Sequence, residues 1–242
     1  MLAVIATAAF VASLLTLFSG FGLGTLLMPV VAVFFPVVTA VAITAFVHLL
    51  NNLFKLAMLW RHIHWPVTLR FGLPALVATI PGAWVLTALS AGAPLVLYTI
   101  AGIEAEISPV KLVVGLLLIL FALVEWFGIA IRMQISGKFL PLGGLLSGFF
   151  GGLSGHQGAF RSIFLLHAGL DTKAFVASNA AIATFVDLTR LAVYGLNLGL
   201  LLADVKPGLL AAATLAAFAG VMVGNAGIHK VTIAAVQKLV AV

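Results

Sequence analysis

The chain lacks cysteine entirely and has few charged residues: Asp, Glu, Lys and Arg together make up 7% of its 242 residues. Without cysteine, neither a disulfide framework nor thiol chemistry is available. A soluble domain carries about 25% charged residues, so this chain has too few polar groups to cover a surface that faces water. Because 64% of its residues are apolar, we expect lipid around most of the protein.

Catalytic and nucleotide-binding patterns are also missing. The sequence has no H-E-x-x-H zinc pattern, no P-loop, no G-x-S-x-G in a strand–turn–helix context and no carboxylate cluster for a metal. The net charge of +6 comes from basic residues scattered singly, which does not form a surface for nucleic acid. We therefore expect no enzyme activity, no cofactor and no nucleic-acid partner.

Breaks at glycine, proline and charge predict an all-α integral membrane protein with about nine transmembrane segments, since each crossing needs roughly 20 apolar residues. The predicted segments are 2–18, 22–36, 38–59, 67–89, 110–131, 139–153, 158–171, 173–200 and 207–228. Three of them are short and bounded by glycine, which indicates half-helices or re-entrant hairpins: 22–36, 139–153 and 158–171. The stretch 90–109, with Glu104 and Glu106, is predicted to be an interfacial loop or short helix.

Basic residues predict how the chain is oriented. Nine crossings place most cations on the side of the C-terminus, namely Arg61, Arg70, Arg132, Lys138, Lys173, Lys230 and Lys238. The opposite side receives only Lys111 and Lys206. By the positive-inside rule, the N-terminus lies outside and the C-terminus in the cytoplasm, in a multi-pass protein of the plasma (inner) membrane.

The chain resembles itself at an offset of 135 residues. The matches are Ser19-Gly20 with Ser154-Gly155, Val41-Ala42 with Val176-Ala177, Leu53 with Leu188, Lys55 with Arg190, and Leu56-Ala57 with Leu191-Ala192. This predicts two four-segment repeats, 1–89 and 139–228, joined by a loop and connector helix in 90–138 and followed by a cytoplasmic tail, 229–242. Four crossings and one connector invert the second repeat, as in secondary transporters with broken helices at the centre.

Two glycine loops at equivalent places in the repeats are the first candidate site. Glycine lets the backbone approach a ligand closely, and the N–H groups that open the following helix favour an anion. The candidate residues are Ser19, Gly20, Gly22 and Gly24 in the first loop, and Ser154, Gly155, His156, Gln157, Gly158 and Arg161 in the second. The alternative is helix packing, as for the small-residue series Gly144, Gly148 and Gly152. Arg161 would bind an oxyanion or anchor the interface, and His156 would donate to an anion, relay a proton or be an ordinary hydrogen-bonded loop residue.

Polar residues inside two long segments are the second candidate, because ionisable groups at membrane depth generally face an interior. The first segment carries Thr44, His48, Asn51, Asn52 and Lys55, and its counterpart carries Ser178, Asn179, Thr184, Asp187 and Arg190. We interpret His48, Asn51, Asn52, Lys55, Asn179, Asp187 and Arg190 as residues of the path or of coupling. Two structural alternatives stay open. In the first, the Lys55 side chain snorkels to the interface. In the second, Asp187 and Arg190 form an i,i+3 pair with a purely structural role.

The order SGFGLGTLLMP, then VAIT, and an imperfect second copy, SGHQGAFRS then VASN, resembles the TauE/SafE sulfite exporter family over nearly the whole chain. The resemblance implies a helical permease with inverted repeats that moves small sulfur-containing anions such as sulfite, thiosulfate or organosulfonates, generally outward. It also implies Gly20, Gly22, Gly24, Gly155 and Gly158 as glycine-loop positions.

The leading hypothesis is therefore a secondary exporter of such anions, working by alternating access around a midplane site and coupled to a proton or another ion. An anion channel or a non-transporting membrane scaffold or assembly protein remains the alternative. The expected partners are the lipid bilayer and the small anion.

Overall fold

The computed structural model describes residues 1–19, 23–100, 103–127, 135–202 and 205–227. Helices dominate these ranges, in the order α1 (Leu2–Ser19), a π-helical turn (Leu23–Leu27), α2 (Met28–Ala32), α3 (Val37–Leu59), α4 (Trp65–Ser90), α5 (Pro109–Trp126), α6 (Leu140–Ser154), α7 (Gln157–Leu165), α8 (Thr172–Leu202) and α9 (Pro207–Gly227). Short 3₁₀ turns extend α3 at Trp60–His62 and precede α6 at Gly137–Phe139. Strands β1 (Val96–Ile100) and β2 (Ile103–Ile107) lie between α4 and α5.

Four helical stretches of the described chain are long and apolar enough to cross a membrane: Val37–His62, Trp65–Ser90, Thr172–Gly195 and Pro207–Gly227. Shorter apolar helices occupy Leu2–Leu17, Leu23–Ala32 and Pro109–Val124. The predicted short elements are present, because α2, α6 and α7 span only 5, 15 and 9 residues. The protein is thus a helical membrane protein with broken helices, while the count of nine crossings stays a prediction.

The stretch 90–109, predicted to be a loop or short helix, contains an antiparallel β-hairpin. The prediction is wrong in this respect, and the fold is not purely helical. Val96 pairs with Ile107 and Ile100 with Ile103. Two signals for it are present in the sequence: β-branched and aromatic residues favour strands, and Glu104 and Glu106 alternate with Ala105 and Ile107. Lys111, at the start of α5, pairs with Glu106 at 3.0 Å on the surface.

Helices α4 and α6 pack with almost no space between their backbones. A Cβ atom at Gly144, Gly148 or Gly152 of α6 would lie 2.0–2.3 Å from a carbonyl oxygen of α4. Because only glycine permits such an approach, the packing interpretation of this small-residue series is confirmed. Gly220 of α9 approaches Phe10 of α1 in the same way, with 2.4 Å between the added Cβ and the carbonyl oxygen.

The pairs of packed helices follow the repeat. Helix α6 packs on α4, α1 packs on α9, and α3 packs on α8. Under the offset of 135 residues, α1 corresponds to α6, α4 to α9, and α3 to α8. The pairs α1–α9 and α6–α4 are therefore equivalents of one another, and α3–α8 pairs a helix with its own counterpart. In each of these equivalent pairs, a helix of one half packs against a helix of the other half. This packing favours the predicted inverted repeat, but it does not test the orientation of the two halves.

Candidate functional site

A sharp turn between α6 and α7 brings polar residues to the centre of the molecule. Helix α6 ends at Gly155, whose φ of +82° lies in the left-handed region that favours glycine. A Cβ atom there would come within 2.7 Å of an Arg190 guanidinium nitrogen. The turn is held by Ser147, whose hydroxyl donates to the Gln157 carbonyl oxygen at 2.8 Å. His156 and Gln157 follow this turn and are both buried, and Gln157 reaches Asp187 of α8.

The Asp187 carboxylate of α8 lies at the centre of the buried polar network. Its Oδ1 lies 2.7 Å from an Arg190 nitrogen and accepts from Gln157 Nε2 at 3.1 Å. Its Oδ2 lies 2.7 Å from His48 Nδ1 and accepts from Asn52 Nδ2 at 3.4 Å. Since an ionised carboxylate only accepts hydrogen bonds, His48 Nδ1 carries the proton in this contact. The predicted Asp187–Arg190 pair is present, but it belongs to a network from three helices rather than to α8 alone.

Arg161 of α7 lies in the same network. Its NH1 group donates to Gln157 Oε1 at 2.9 Å, and its Nε donates to Asn179 Oδ1 of α8. The side chain is 1% exposed, so it is inside the helix bundle rather than at its surface. The alternative in which Arg161 is an interface anchor is therefore wrong. Gly158 lies in the first turn of α7, one helical turn before Arg161.

Lys55 of α3 is also inside the bundle. It is 3% exposed, which contradicts the alternative that its ammonium snorkels to the interface. No hydrogen bond or ion pair joins its ammonium to another residue of the described chain. One turn before Lys55, Asn51 accepts a hydrogen bond from the Ser13 hydroxyl of α1 at 3.0 Å.

His156 stacks on an aromatic ring at the edge of this network. Its ring stacks on Phe121 of α5, with centroids 5.5 Å apart and planes at 8°, and its Nδ1 lies 3.1 Å from the Ser154 hydroxyl oxygen. It is thus a buried residue with a hydrogen-bond partner. Its suggested roles as an anion donor or proton relay remain predictions.

The two glycine loops meet. A Cβ atom at Gly24, in the π-helical turn, would lie 2.7 Å from the Gly155 carbonyl oxygen. Ser19 ends α1, whereas Gly20 and Gly22 lie outside the described residues. The structure therefore brings the loops together at one point, while an anion cradle made of both backbones stays a prediction.

Three residues that contact the predicted site residues were not predicted from the sequence. Ser13 of α1, Ser147 of α6 and Phe121 of α5 each hold a predicted residue in place, as described above. Phe121 offered no signal, because a phenylalanine in an apolar helix is expected to contact lipid or the core. Ser13 and Ser147 are polar residues inside apolar segments, which is the one signal that would have found them.

Positive charge is in excess in the buried network. Among buried residues of the described chain, Lys55, Arg161 and Arg190 are cationic, and Asp187 is the only carboxylate. Two further buried donors, Asn51 Nδ2 and Arg190 Nε, make no hydrogen bond within the described ranges. Unpaired buried charges and donors are costly. Such an arrangement suits an anion with several acceptor oxygens. In the described ranges, no group of three His, Cys, Asp or Glu side chains could hold a metal ion.

The apolar helices and the buried charged network together define an integral membrane protein with a polar interior. The model of the protein family described as sulfite exporter TauE/SafE matches residues 5–242. The chain therefore belongs to the TauE/SafE sulfite exporter family, whose members are membrane transporters rather than enzymes. Comparisons with curated proteins and with solved structures give no match.

Proposed function

We propose that this protein is a secondary exporter of small sulfur-containing anions and that the anion binds at the network between α3, α7 and α8. The observation that carries the proposal is the excess of buried positive charge: the buried residues of the described chain include three cations and one carboxylate. Family membership supports the sulfur-anion class of substrate.

The physical argument concerns charges away from water. A buried ionised group without a counter-charge is strongly destabilising, because the interior cannot replace its hydration. An oxyanion at the network supplies negative charge to Lys55 and acceptor oxygens to the unpartnered donors Asn51 Nδ2 and Arg190 Nε. The empty site is thus the less favourable state, and binding an anion relieves it.

The position of the network fits alternating access. Lys55 and His48 belong to the first repeat, whereas Asp187, Arg190 and Arg161 belong to the second. The glycine turns, which touch at Gly24 and Gly155, let the backbones of the two repeats come close at the same place. Rocking of one repeat against the other would separate these groups and open the site first to one side and then to the other.

The test is flux of radiolabelled sulfite and methanesulfonate in proteoliposomes. We expect saturable flux in the wild-type protein and a loss of about tenfold or more in Arg161→Ala and in Gly155→Leu, since each removes or blocks a group of the site. The matched control is Lys138→Ala, which removes an exposed cation in the 3₁₀ turn before α6 and should leave flux unchanged. Wild-type rates in both site variants would refute the assignment, and flux that never saturates would identify an anion channel instead.

A further inference from the structure

A buried histidine and a buried aspartate join the two repeats. His48 is on α3 in the first repeat and Asp187 is on α8 in the second, and His48 Nδ1 lies 2.7 Å from Asp187 Oδ2. The histidine is 4% exposed and the aspartate 0%. Histidine is the side chain whose charge ordinarily changes near neutral pH. A group that can gain or lose a proton therefore lies at a contact between the two repeats.

The amide of Asn52 serves both atoms of this contact. Its Nδ2 lies 3.2 Å from His48 Nδ1 and 3.4 Å from Asp187 Oδ2. When the shared proton is on Nδ1, the amide donates to the carboxylate oxygen, and when the proton is on the oxygen, the amide donates to Nδ1. The contact thus keeps one proton in either arrangement, and a second proton must bind elsewhere on the pair.

The other ring nitrogen of His48 is the place for that second proton. His48 Nε2 makes no hydrogen bond within the described ranges. A proton there converts the imidazole to an imidazolium whose Nδ1–H still donates to Asp187. The carboxylate would then balance two cations, because Arg190 lies 2.7 Å from its other oxygen.

The remaining charges near α3 are either linked to this carboxylate or distant from it. Arg161 is linked through Gln157, which donates to Asp187 Oδ1 at 3.1 Å. The other charged or titratable residues on α3 and on its neighbours α5 and the turn Trp60–His62 are Lys55, Lys111, Glu125, Arg61 and His62. Helices α2 and α9 and the π-helical turn, which also pack on α3, carry none.

We infer that the His48–Asp187 pair is the proton site of the transporter: one proton binds at His48 Nε2 when an anion binds and leaves when the anion is released. This inference rests on the proposed function and names its coupled ion. A metal cation would need the oxygens of Asp187, and each of them already contacts two nitrogen donors.

The charges explain why proton and anion bind together. An imidazolium beside Arg190 leaves one positive charge over, and an anion at the network supplies the missing negative charge. By linkage, the proton strengthens binding of the anion by the same factor as the anion strengthens binding of the proton. Separation of the repeats takes the carboxylate away from the histidine, and a buried imidazolium without a counter-charge is costly. Opening of the site therefore favours release of the proton.

The experiment counts protons. Methanesulfonate and thiosulfate are the probes, because neither takes up a proton near neutral pH, whereas sulfite does. The purified protein in detergent is titrated calorimetrically in amine buffers of different ionisation enthalpy, since sulfonate and phosphate buffers would compete as anions. The dependence of the binding enthalpy on the buffer gives the number of protons. We expect uptake of about half a proton or more per bound anion at neutral pH, and an affinity that falls about threefold or more per unit of rising pH.

Three histidine variants locate the proton. His48→Gln should still bind anion but take up no proton. His62→Gln is the matched control, because it removes an exposed histidine from the turn after α3 and should leave the proton count unchanged. His156→Gln removes the other buried histidine of the described chain, and the count per bound anion should persist in it.

The outcomes separate this inference from the proposed function. Anion binding without proton uptake in the wild-type protein, or unchanged uptake in His48→Gln, would overturn the proton site while leaving anion transport intact. If His48→Gln does not fold, loss of uptake in His156→Gln would overturn the assignment to His48, and retained uptake would support it. If neither probe binds and neither is transported, the proposed function itself fails.

Discussion

Helices α3 and α8 are counterparts in the two repeats, yet they carry their charges differently. At the offset of 135 residues, Lys55 corresponds to Arg190 and Asn52 to Asp187. Helix α8 thus has a cation with its own carboxylate three residues earlier, and α3 has a cation with an amide at that place. The Asn52 amide donates to the Asp187 carboxylate at 3.4 Å, so these two counterparts touch each other.

The difference shows how a duplicated framework can build one asymmetric site. The Asp187 carboxylate contacts side chains of both α3 and α8. Because α3 lacks its own carboxylate, its histidine and amide bind the carboxylate of α8, while its cation makes no ion pair in the described chain. The histidine and amide of α3 therefore bind a carboxylate that α8 supplies, whereas Arg190 pairs with a carboxylate of its own helix.

The largest expected effect on stability comes from replacing Asp187 with alanine, and its counterpart Asn52 provides the comparison. Asp187→Ala leaves Arg190 buried without its counter-charge and takes the acceptor from His48, so we expect it to lower the free energy of unfolding by about 3–5 kcal/mol. Asn52→Ala removes one hydrogen bond to the same carboxylate and should lower it by about 1 kcal/mol. Denaturant unfolding in detergent measures both. Equal losses in the two variants would show that the carboxylate does not have the central role described.

A second prediction extends the comparison to the outer helices, where Gly148 of α6 corresponds to Ser13 of α1. A Cβ atom at Gly148 would lie 2.0 Å from the Ala75 carbonyl oxygen, so Gly148→Ala must push α6 away from α4. We expect a loss of about 1–3 kcal/mol in the free energy of unfolding. The control is Gly115→Ala in α5, where nothing lies within 4 Å of the added atom. If both variants unfold alike, close backbone packing does not stabilise this pair of helices.

The smallest effect is expected for the surface ion pair, which contrasts with the buried one. The side chains of Lys111 and Glu106 are 41% and 43% exposed and lie 3.0 Å apart. Water and salt screen such a pair, so Glu106→Gln should change the free energy of unfolding by less than about 1 kcal/mol. A loss approaching that of Asp187→Ala in the same unfolding measurement would contradict the distinction between exposed and buried charges.

Much of the helical framework could be predicted from the sequence. Glycine, proline and charge interrupt the apolar runs, and the helices α1, α3, α4, α8 and α9 begin and end within two residues of the predicted segments. The hairpin before α5 was missed because its ten strand residues are too few to outweigh the apolar helices on either side. For the site, polar side chains within apolar segments pointed to residues that lie together in the buried network, because such side chains are rare at membrane depth.

What the sequence determined by itself is therefore the solvent and the helices, since composition and periodicity act along the chain. The tertiary structure decided which charges are balanced. No spacing along the chain shows that Asp187 meets His48, 139 residues earlier, or that Lys55 lies inside the bundle. Those contacts depend on how α3, α7 and α8 pack against one another, and packing brings together residues that are distant in sequence. The excess of buried positive charge exists only once these helices are in place.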